Sequence, residues 1–283
     1  MTKNWGQKMV PDFLPLIFCH QSVSPMPIHL PIITTRIPKK EFGELSYAVM
    51  NQVFAIHHDF GRFFDEKIYK RELAKRMDEV LLETPVEVTF QSFLKRYYLD
   101  VIVHGRGLFE FKAGDAIVPR HRAQTINYLL LADLAHGLLV NTRPETIGRE
   151  FVNCRWRLKD LRNPVIEECE WQPDVHQAAK FQDVLVALVR DWGSELDLAL
   201  YEEAMTWFMG GESILQDVPV DDLGSQRARL IAPGVSFKIT ALSQNEEAFA
   251  SHALRFLSHT PLHTILWANM TPTRLSFTTL QKK

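Results

Sequence analysis

From Glu41 onward, apolar residues recur at steps of three and four: Phe42, Leu45, Val49, Val53 and Ile56 fall on one helical stripe. Gly61 follows as a stop signal, so the spacing predicts a helix over 41–60. A second helix is expected over about 64–79, with Ile68, Leu73 and Met77 facing inward. The period then changes to two. Strands are predicted near 86–90, 96–104 and 108–112, the last two joined by a turn at His104-Gly105-Arg106-Gly107. Pro119 opens a helix over about 121–132, and residues 136–141 read as a closing strand. The order α-α-β-β-β-α-β predicts an α/β fold: a mixed central sheet with helices on its faces.

The hairpin carries the chemistry. Asp100 lies on its first strand, and Glu110 and Lys112 lie two apart on its second, among Val, Ile, Leu and Phe. Alternation puts Glu110 and Lys112 on one face and Phe111 on the other. Charges on a buried hairpin are costly unless a metal or substrate uses them. Two carboxylates suit a hard cation, and a nearby lysine can orient or activate water. Taken alone, the pattern also fits a structural ion pair on a half-exposed sheet.

An internal repeat organises the rest. Asp59-Phe60-Gly61, Asp65 and Tyr69 recur with the same offsets as Asp191-Trp192-Gly193, Asp197 and Tyr201. Pro85-Val86-Glu87 resembles Pro219-Val220-Asp221, and residues 129–144 match 257–272 without a gap, Asn141 falling on Asn269. The expected division is an N-terminal extended arm (1–39), a first copy (40–163), an acidic linker (164–175) and a second copy (176–283). In this alignment Glu66 falls opposite Leu198, Asp100 near Arg229, Glu110 and Lys112 opposite Phe237 and Ile239, and Gln124 near His252. The second copy is therefore expected to keep the skeleton and lack the polar set.

Composition narrows the class without naming it. With 46% hydrophobic and 23% charged residues the chain reads as globular and soluble, and no apolar run is long enough for a membrane span. The proline-interrupted segment 13–18 makes a poor secretory signal, and Cys19, Cys154 and Cys169 lack metal-type spacing, so a cytoplasmic location is expected. Residues 1–164 carry 23 Lys and Arg against 18 Asp and Glu, whereas residues 165–283 carry 9 against 16. A basic first half suits a polyanionic ligand; a chance difference between solvated faces fits as well.

The first copy resembles the GxxExxY proteins of the PD-(D/E)XK nuclease superfamily and, more distantly, the RecB-like nucleases. The resemblance rests on His57-His58-Asp59-Phe60-Gly61, Glu66-Lys67-Ile68-Tyr69, Asp100, Glu110-Phe111-Lys112 and the run His121 to Tyr128 with its Gln-x-x-x-Tyr spacing. Phe63 stands where the family has its first glycine, and Leu99 stands where it has proline. The resemblance implies a restriction-endonuclease-like αβββαβ core, here tandemly duplicated, and metal-dependent hydrolysis of phosphodiester bonds. The implied partner is nucleic acid, DNA ahead of RNA, with the second copy an inactive intramolecular partner. Asp100 and Glu110 would bind Mg²⁺ or Mn²⁺, Glu66 would complete the metal shell, and the Phe111 carbonyl would offer a third ligand. Lys112 would orient water, and Gln124 and Tyr128 would position the site or touch substrate.

Several residues keep two readings. His57 is a Mn²⁺ ligand in one and a hydrogen-bonded core histidine in the other. His121 reaches the scissile phosphate or caps its helix, beside Arg122. Lys67, Arg71 and Lys75 form a basic stripe that tracks a phosphate backbone or simply faces water. The alternative for the whole chain is a non-catalytic nucleic-acid-binding or protein-scaffold module on the same fold.

Overall fold

A computed structural model of the chain describes residues 27–282. The first 26 residues of the expected arm, with Cys19, lie outside the described residues. Helix α1 (Lys39–Phe60) buries the expected stripe of Phe42, Val49, Val53 and Ile56. It ends at Gly61, whose φ of 72° lies in the left-handed region that favours glycine. Helix α2 (Glu66–Arg76) is shorter than expected, and its buried face is Tyr69, Lys70 and Leu73. Met77 falls past its end as the C-cap residue, and Ile68 is only half-buried.

Strands β2 (Val80–Phe90) and β3 (Phe93–Val103) are both longer than the alternation suggested, and form one antiparallel ribbon. The early part of β2 is masked in sequence by Glu83 and Pro85. The regular register skips Glu83, whose φ of 49° interrupts the strand beside Asp100. A tight turn then leads to β4 (Gly107–Lys112): His104 and Gly105 both have positive φ, and the Arg106 N–H donates to the Val103 carbonyl at 3.0 Å. Helix α3 (Pro119–Leu131), with proline in its first turn, crosses over to β5 (His136–Asn141), which pairs parallel to β4. The antiparallel edge strand β6 (Gly148–Asn153) follows, a strand the sequence pattern did not reveal.

The second half repeats this plan. Strand β7 (Val165–Glu168) precedes α4 (Ala178–Trp192), α5 (Leu198–Met209), β8 (Leu215–Val220), β9 (Gly224–Ala232), β10 (Val235–Thr240), α6 (Glu246–Ser258), β11 (Thr264–Met270) and β12 (Arg274–Gln281). The sheets run β1-β2-β3-β4-β5-β6, where β1 is Ile28–His29, and β7-β12-β11-β10-β9-β8. In both, the five core strands pair antiparallel, antiparallel, parallel, antiparallel. The sixth strands differ: β1 extends the first sheet beside β2, and β7 extends the second beside β12. Residues 164–175, expected as a linker, therefore contribute an edge strand. The arm is also tied down where it is described, Thr34 donating to the Ala132 carbonyl at 2.6 Å and Arg36 to the Cys154 carbonyl at 2.6 Å.

Matching side-chain contacts recur in the two halves. Asn141 brackets the backbone of Gly114, and Asn269 brackets that of Leu242, each amide accepting from the loop N–H and donating to its carbonyl. Tyr69 donates to the Gly61 carbonyl, and Tyr201 donates to that of Gly193. The strand register corrects the expected alignment of the charged positions by one residue. Glu110 pairs with Leu139 and Lys112 with Asn141; in the second sheet Lys238 pairs with Trp267 and Thr240 with Asn269. Because β5 and β11 match at a spacing of 128, Glu110 corresponds to Lys238 and Lys112 to Thr240, not to Phe237 and Ile239. A one-residue slip exchanges the two faces of a strand. Phe237 and Ile239 are buried among the residues of α4 and α5, a face that Glu110 does not occupy in the first half.

One hydrophobic core runs through both halves, from Val86, Phe93 and Leu129 to Phe181, Trp192 and Phe277. A second core beneath α1 and α2 holds Phe109, Phe111 and Leu138. Polar ties cross the junction: Trp192 Nε1 donates to the Thr89 carbonyl at 2.8 Å, and Lys95 pairs with Glu203 at 2.6 Å. No helix among the described residues is long and apolar enough to cross a membrane. Cys154 is buried and Cys169 exposed, both as free thiols.

Candidate active site

Alternation along β3 and β4 brings Asp100 and Glu110 side by side, since Val101 pairs with Phe109 and each acid lies one step beyond. Phe109 and Phe111 point into the core under α1 and α2, which leaves Glu110 and Lys112 on the α3 face. Glu110 is 1% exposed, and Asp100 is also buried. The Phe111 N–H donates to Asp100 Oδ2 at 3.0 Å, and Lys70 Nζ donates to Asp100 Oδ1 at 2.9 Å. Lys70 also reaches Glu83. On the second strand Lys112 Nζ donates to Glu110 Oε1 at 2.7 Å. The other carboxylate oxygen, Glu110 Oε2, is buried and has no hydrogen-bond partner among the described residues.

The electrostatics follow from this geometry. Burial, with Asp100 beside it, pushes Glu110 up to about 7, against the pull of Lys112. Glu66, at the start of α2, is also raised, first by burial and then by Asp100. Burial draws Lys112 down, but Glu110, Asp100 and Glu66 together hold it above the ordinary lysine value. Lys70 is likewise raised: Glu83 and Asp100 outweigh its burial.

A cavity of about 530 Å³ opens beside this cluster, lined by Glu66, Lys112, His121, Gln124 and Tyr128, all expected from sequence. Gln124 Nε2 donates to the Tyr128 hydroxyl at 2.9 Å, as their four-residue spacing suggests. His121 does two things: its Nδ1 accepts from the Val118 N–H at 3.3 Å at the helix start, and its ring lines the cavity. Burial, then Lys112 and Arg120, holds its pKa below the ordinary histidine value.

Other expected residues lie elsewhere. Arg122 pairs with Glu150 and is not part of the cavity wall. Lys67, Arg71 and Lys75 are exposed on α2; Lys67 pairs with Asp65 at 3.5 Å and Lys75 with Glu72 at 3.1 Å. None of the three lines the cavity, because the inner face of α2 belongs to Tyr69, Lys70 and Leu73. His57 packs toward Tyr69, with ring centroids 6.2 Å apart, and its buried Nε2 has no partner among the described residues. Among the described residues no three of His, Cys, Asp and Glu form a group able to hold a metal by themselves. The expected set of Asp100, Glu110, Glu66 and His57 is thus not a ready-made cage. Lysines already satisfy one oxygen of each strand carboxylate.

Lys70, Glu83, Arg120 and the second-half residue Asp197 were missed in the sequence. Lys70 had a signal: it follows Glu66 by four residues, which places both on one face of α2. Asp197 had none. It reaches the cavity only because the two halves dock, its N–H donating to Asn127 Oδ1 at 3.0 Å.

The donor chemistry still suits a hard divalent cation. A buried, unpartnered carboxylate oxygen beside a second carboxylate favours one, and Mg²⁺ commonly takes one or two protein carboxylates and keeps several waters. Mixed sheet, crossover helix and an acid-acid-lysine hairpin define a mixed α/β class compatible with a nuclease-like fold. Residues 43–152 match the family model of the PD-(D/E)XK nuclease superfamily, whose members are usually nucleases and generally use divalent metal ions. Among solved structures, the crystal structure of SSO0001 is similar at 21% identity and a TM-score of 0.26, over 41% of this chain and 58% of that one. A likeness at that level carries no argument. No curated protein matches.

Proposed function

We propose that this chain is a Mg²⁺- or Mn²⁺-dependent nuclease, with a catalytic first half and a second half that is a degenerate copy of the same fold acting as its built-in partner. The observation that carries the reading is the buried pair Asp100 and Glu110, with Oε2 of Glu110 unpartnered, beside Lys112 and a cavity. Burying two acids together is costly, and a cation removes that cost. Asp100 and Glu110 would hold the metal, with Glu66 acting through a bound water. When bound, the metal would supply positive charge to the phosphate oxygens and lower the pKa of a water.

Lys112 stays protonated at neutral pH, since its acids hold its pKa up. It therefore acts as a cation and hydrogen-bond donor that orients water and phosphate, not as the general base. Tyr128, held by Gln124, and His121 line the space where a substrate phosphate would sit. The shared core and the Asp197 wall support the partner role of the second half.

The test is cleavage of labelled single- and double-stranded DNA and RNA with Mn²⁺ and with EDTA. Wild type is expected to cut only with metal, and Lys112→Ala to lower the rate about 100-fold or more. No cutting of any substrate by folded protein, with no metal-binding heat in calorimetry, would overturn the reading. The second reading, a non-catalytic nucleic-acid-binding or scaffold module, is favoured by one observation: Lys70 and Lys112 already pair the acids. It requires no Mn²⁺-dependent cleavage.

A further inference from the structure

The second half has a cavity of its own, about 270 Å³, between β9, β10 and α6. Its wall sits where the first half carries the acid cluster. Lys238 takes the place of Glu110 in the strand register, and on α6 His252 and Phe256 stand at the 128-residue spacing from Gln124 and Tyr128. The helix partner is exchanged too. At the 132-residue spacing that relates Tyr69 to Tyr201, Lys70 becomes Glu202. Glu202 pairs with Arg229 at 3.2 Å and with Lys238 at 3.5 Å. At these two positions the charge is reversed: Glu110 on the strand and Lys70 on the helix in one half, Lys238 on the strand and Glu202 on the helix in the other, while Lys112 and Glu66 give way to the neutral Thr240 and Leu198.

The wall carries more positive than negative groups and so suits an anion better than a cation. Arg227, Arg229 and Lys238 line the cavity; Glu202 pairs with the last two, and Arg227, whose cross-strand partner is Asp217, is exposed and forms no ion pair among the described residues. Beside them lie half-buried aromatic side chains. Phe249 lies 4.6 Å from the Trp267 ring, and Phe256 lines the same cavity. Cations next to aromatic faces are the pairing that holds a single nucleic-acid strand, phosphate on one and base on the other. A cavity of this size admits an unpaired base, not a duplex.

We propose that this cavity is a metal-independent binding site for a single nucleic-acid strand, with phosphodiester oxygens on Arg227, Arg229 and Lys238 and a base against Phe249 and Phe256. It rests on the nucleic-acid part of the function proposed above, and not on cleavage. The test is fluorescence anisotropy of a labelled single-stranded DNA of about 20 nucleotides with the full chain in EDTA, over a salt series. Arg227→Glu and Lys238→Gln are each expected to weaken binding about tenfold and to reduce the salt slope by about one. Lys180→Gln, on the exposed side of α4, is expected to bind as wild type. Both cavity residues are exposed, so melting curves will separate lost binding from lost fold. Wild-type affinity in both cavity variants, or binding that needs Mn²⁺, would overturn the proposal. If wild type cuts nothing while the cavity variants still weaken binding, the nuclease reading falls and this one stands. Intact cleavage with unaltered binding in the variants does the reverse.

Discussion

Glu110→Gln should stabilise the metal-free protein at alkaline pH while removing its response to metal. The folded state holds Glu110 at about 7, against an ordinary 4.5. Between those values the folded chain binds more protons than the unfolded chain, so stability falls as pH rises through that window. At about 1.4 kcal/mol per pH unit the full gap is worth up to about 3 kcal/mol. Glutamine removes the buried negative charge, and its Oε1 can still accept from Lys112. Relative to wild type, the variant should gain up to about 3 kcal/mol at pH 8 and almost nothing at pH 4.5.

Urea denaturation in EDTA at a series of pH values reads this difference directly. The same titration with Mn²⁺ should raise the stability of wild type and leave Glu110→Gln nearly unmoved, since binding to the folded state alone stabilises by mass action. A variant that is destabilised equally at both ends of the pH range would refute the argument. Glu110 would then be a satisfied structural acid, and its unpartnered oxygen would hold no charge waiting for a cation.

Three further outcomes follow from particular contacts. Lys70→Met leaves Asp100 buried without its cation and should cost about 3–5 kcal/mol in urea denaturation; adding Asp100→Asn should recover part of that loss. Trp192→Ala removes a fully buried side chain at the junction, with its bond to Thr89, and should cost about 3–5 kcal/mol while the chain still melts as one unit, because the core is shared; two separated transitions in calorimetry would contradict that. Gly105→Ala should destabilise by about 1–3 kcal/mol, since φ there is +63° and an added Cβ would lie 2.6 Å from the Ile33 carbonyl oxygen; an unchanged melting temperature would argue against that turn.

Local patterns were legible where one face of an element is dry. The stripe of α1, the glycine stop after Phe60 and strand β5 all follow from period and punctuation. So did the pairing of Asp100 with Glu110 and Lys112, because alternation fixes which side chains share a face. Strand β6 and the first half of β2 were hidden because edge and ribbon strands carry charged and polar residues that break the pattern. Lys70 was hidden for a different reason: a basic residue among Lys67, Arg71 and Lys75 looks like a solvated face until the helix is docked. The identity of the residue corresponding to Glu110 was misread because the hairpin loops of the two halves differ in length, whereas the 128-residue offset of the following helix and strand extends back to β4 and β10. A slip of one residue replaced a lysine with a phenylalanine and made the second half seem merely apolar.

That correction bears on the role proposed for the second half. Simple decay of a metal site would leave apolar or neutral residues, as Leu198 does where Glu66 stood. Thr240 at the position of Lys112 fits the same decay, but at two other charged positions the second half exchanges sign, Glu110 for Lys238 and Lys70 for Glu202, and keeps an ion pair between helix and strand. Arg229 joins the same glutamate from β9. The exchange keeps an ion pair of opposite charges between helix and strand, with the positive charge now on the strand. On the proposals above, the first half would respond to metal and the second to ionic strength. A strand held by the second cavity would be held without any metal. On this argument chelation should abolish cutting but not binding, whereas raising salt should weaken binding with or without metal.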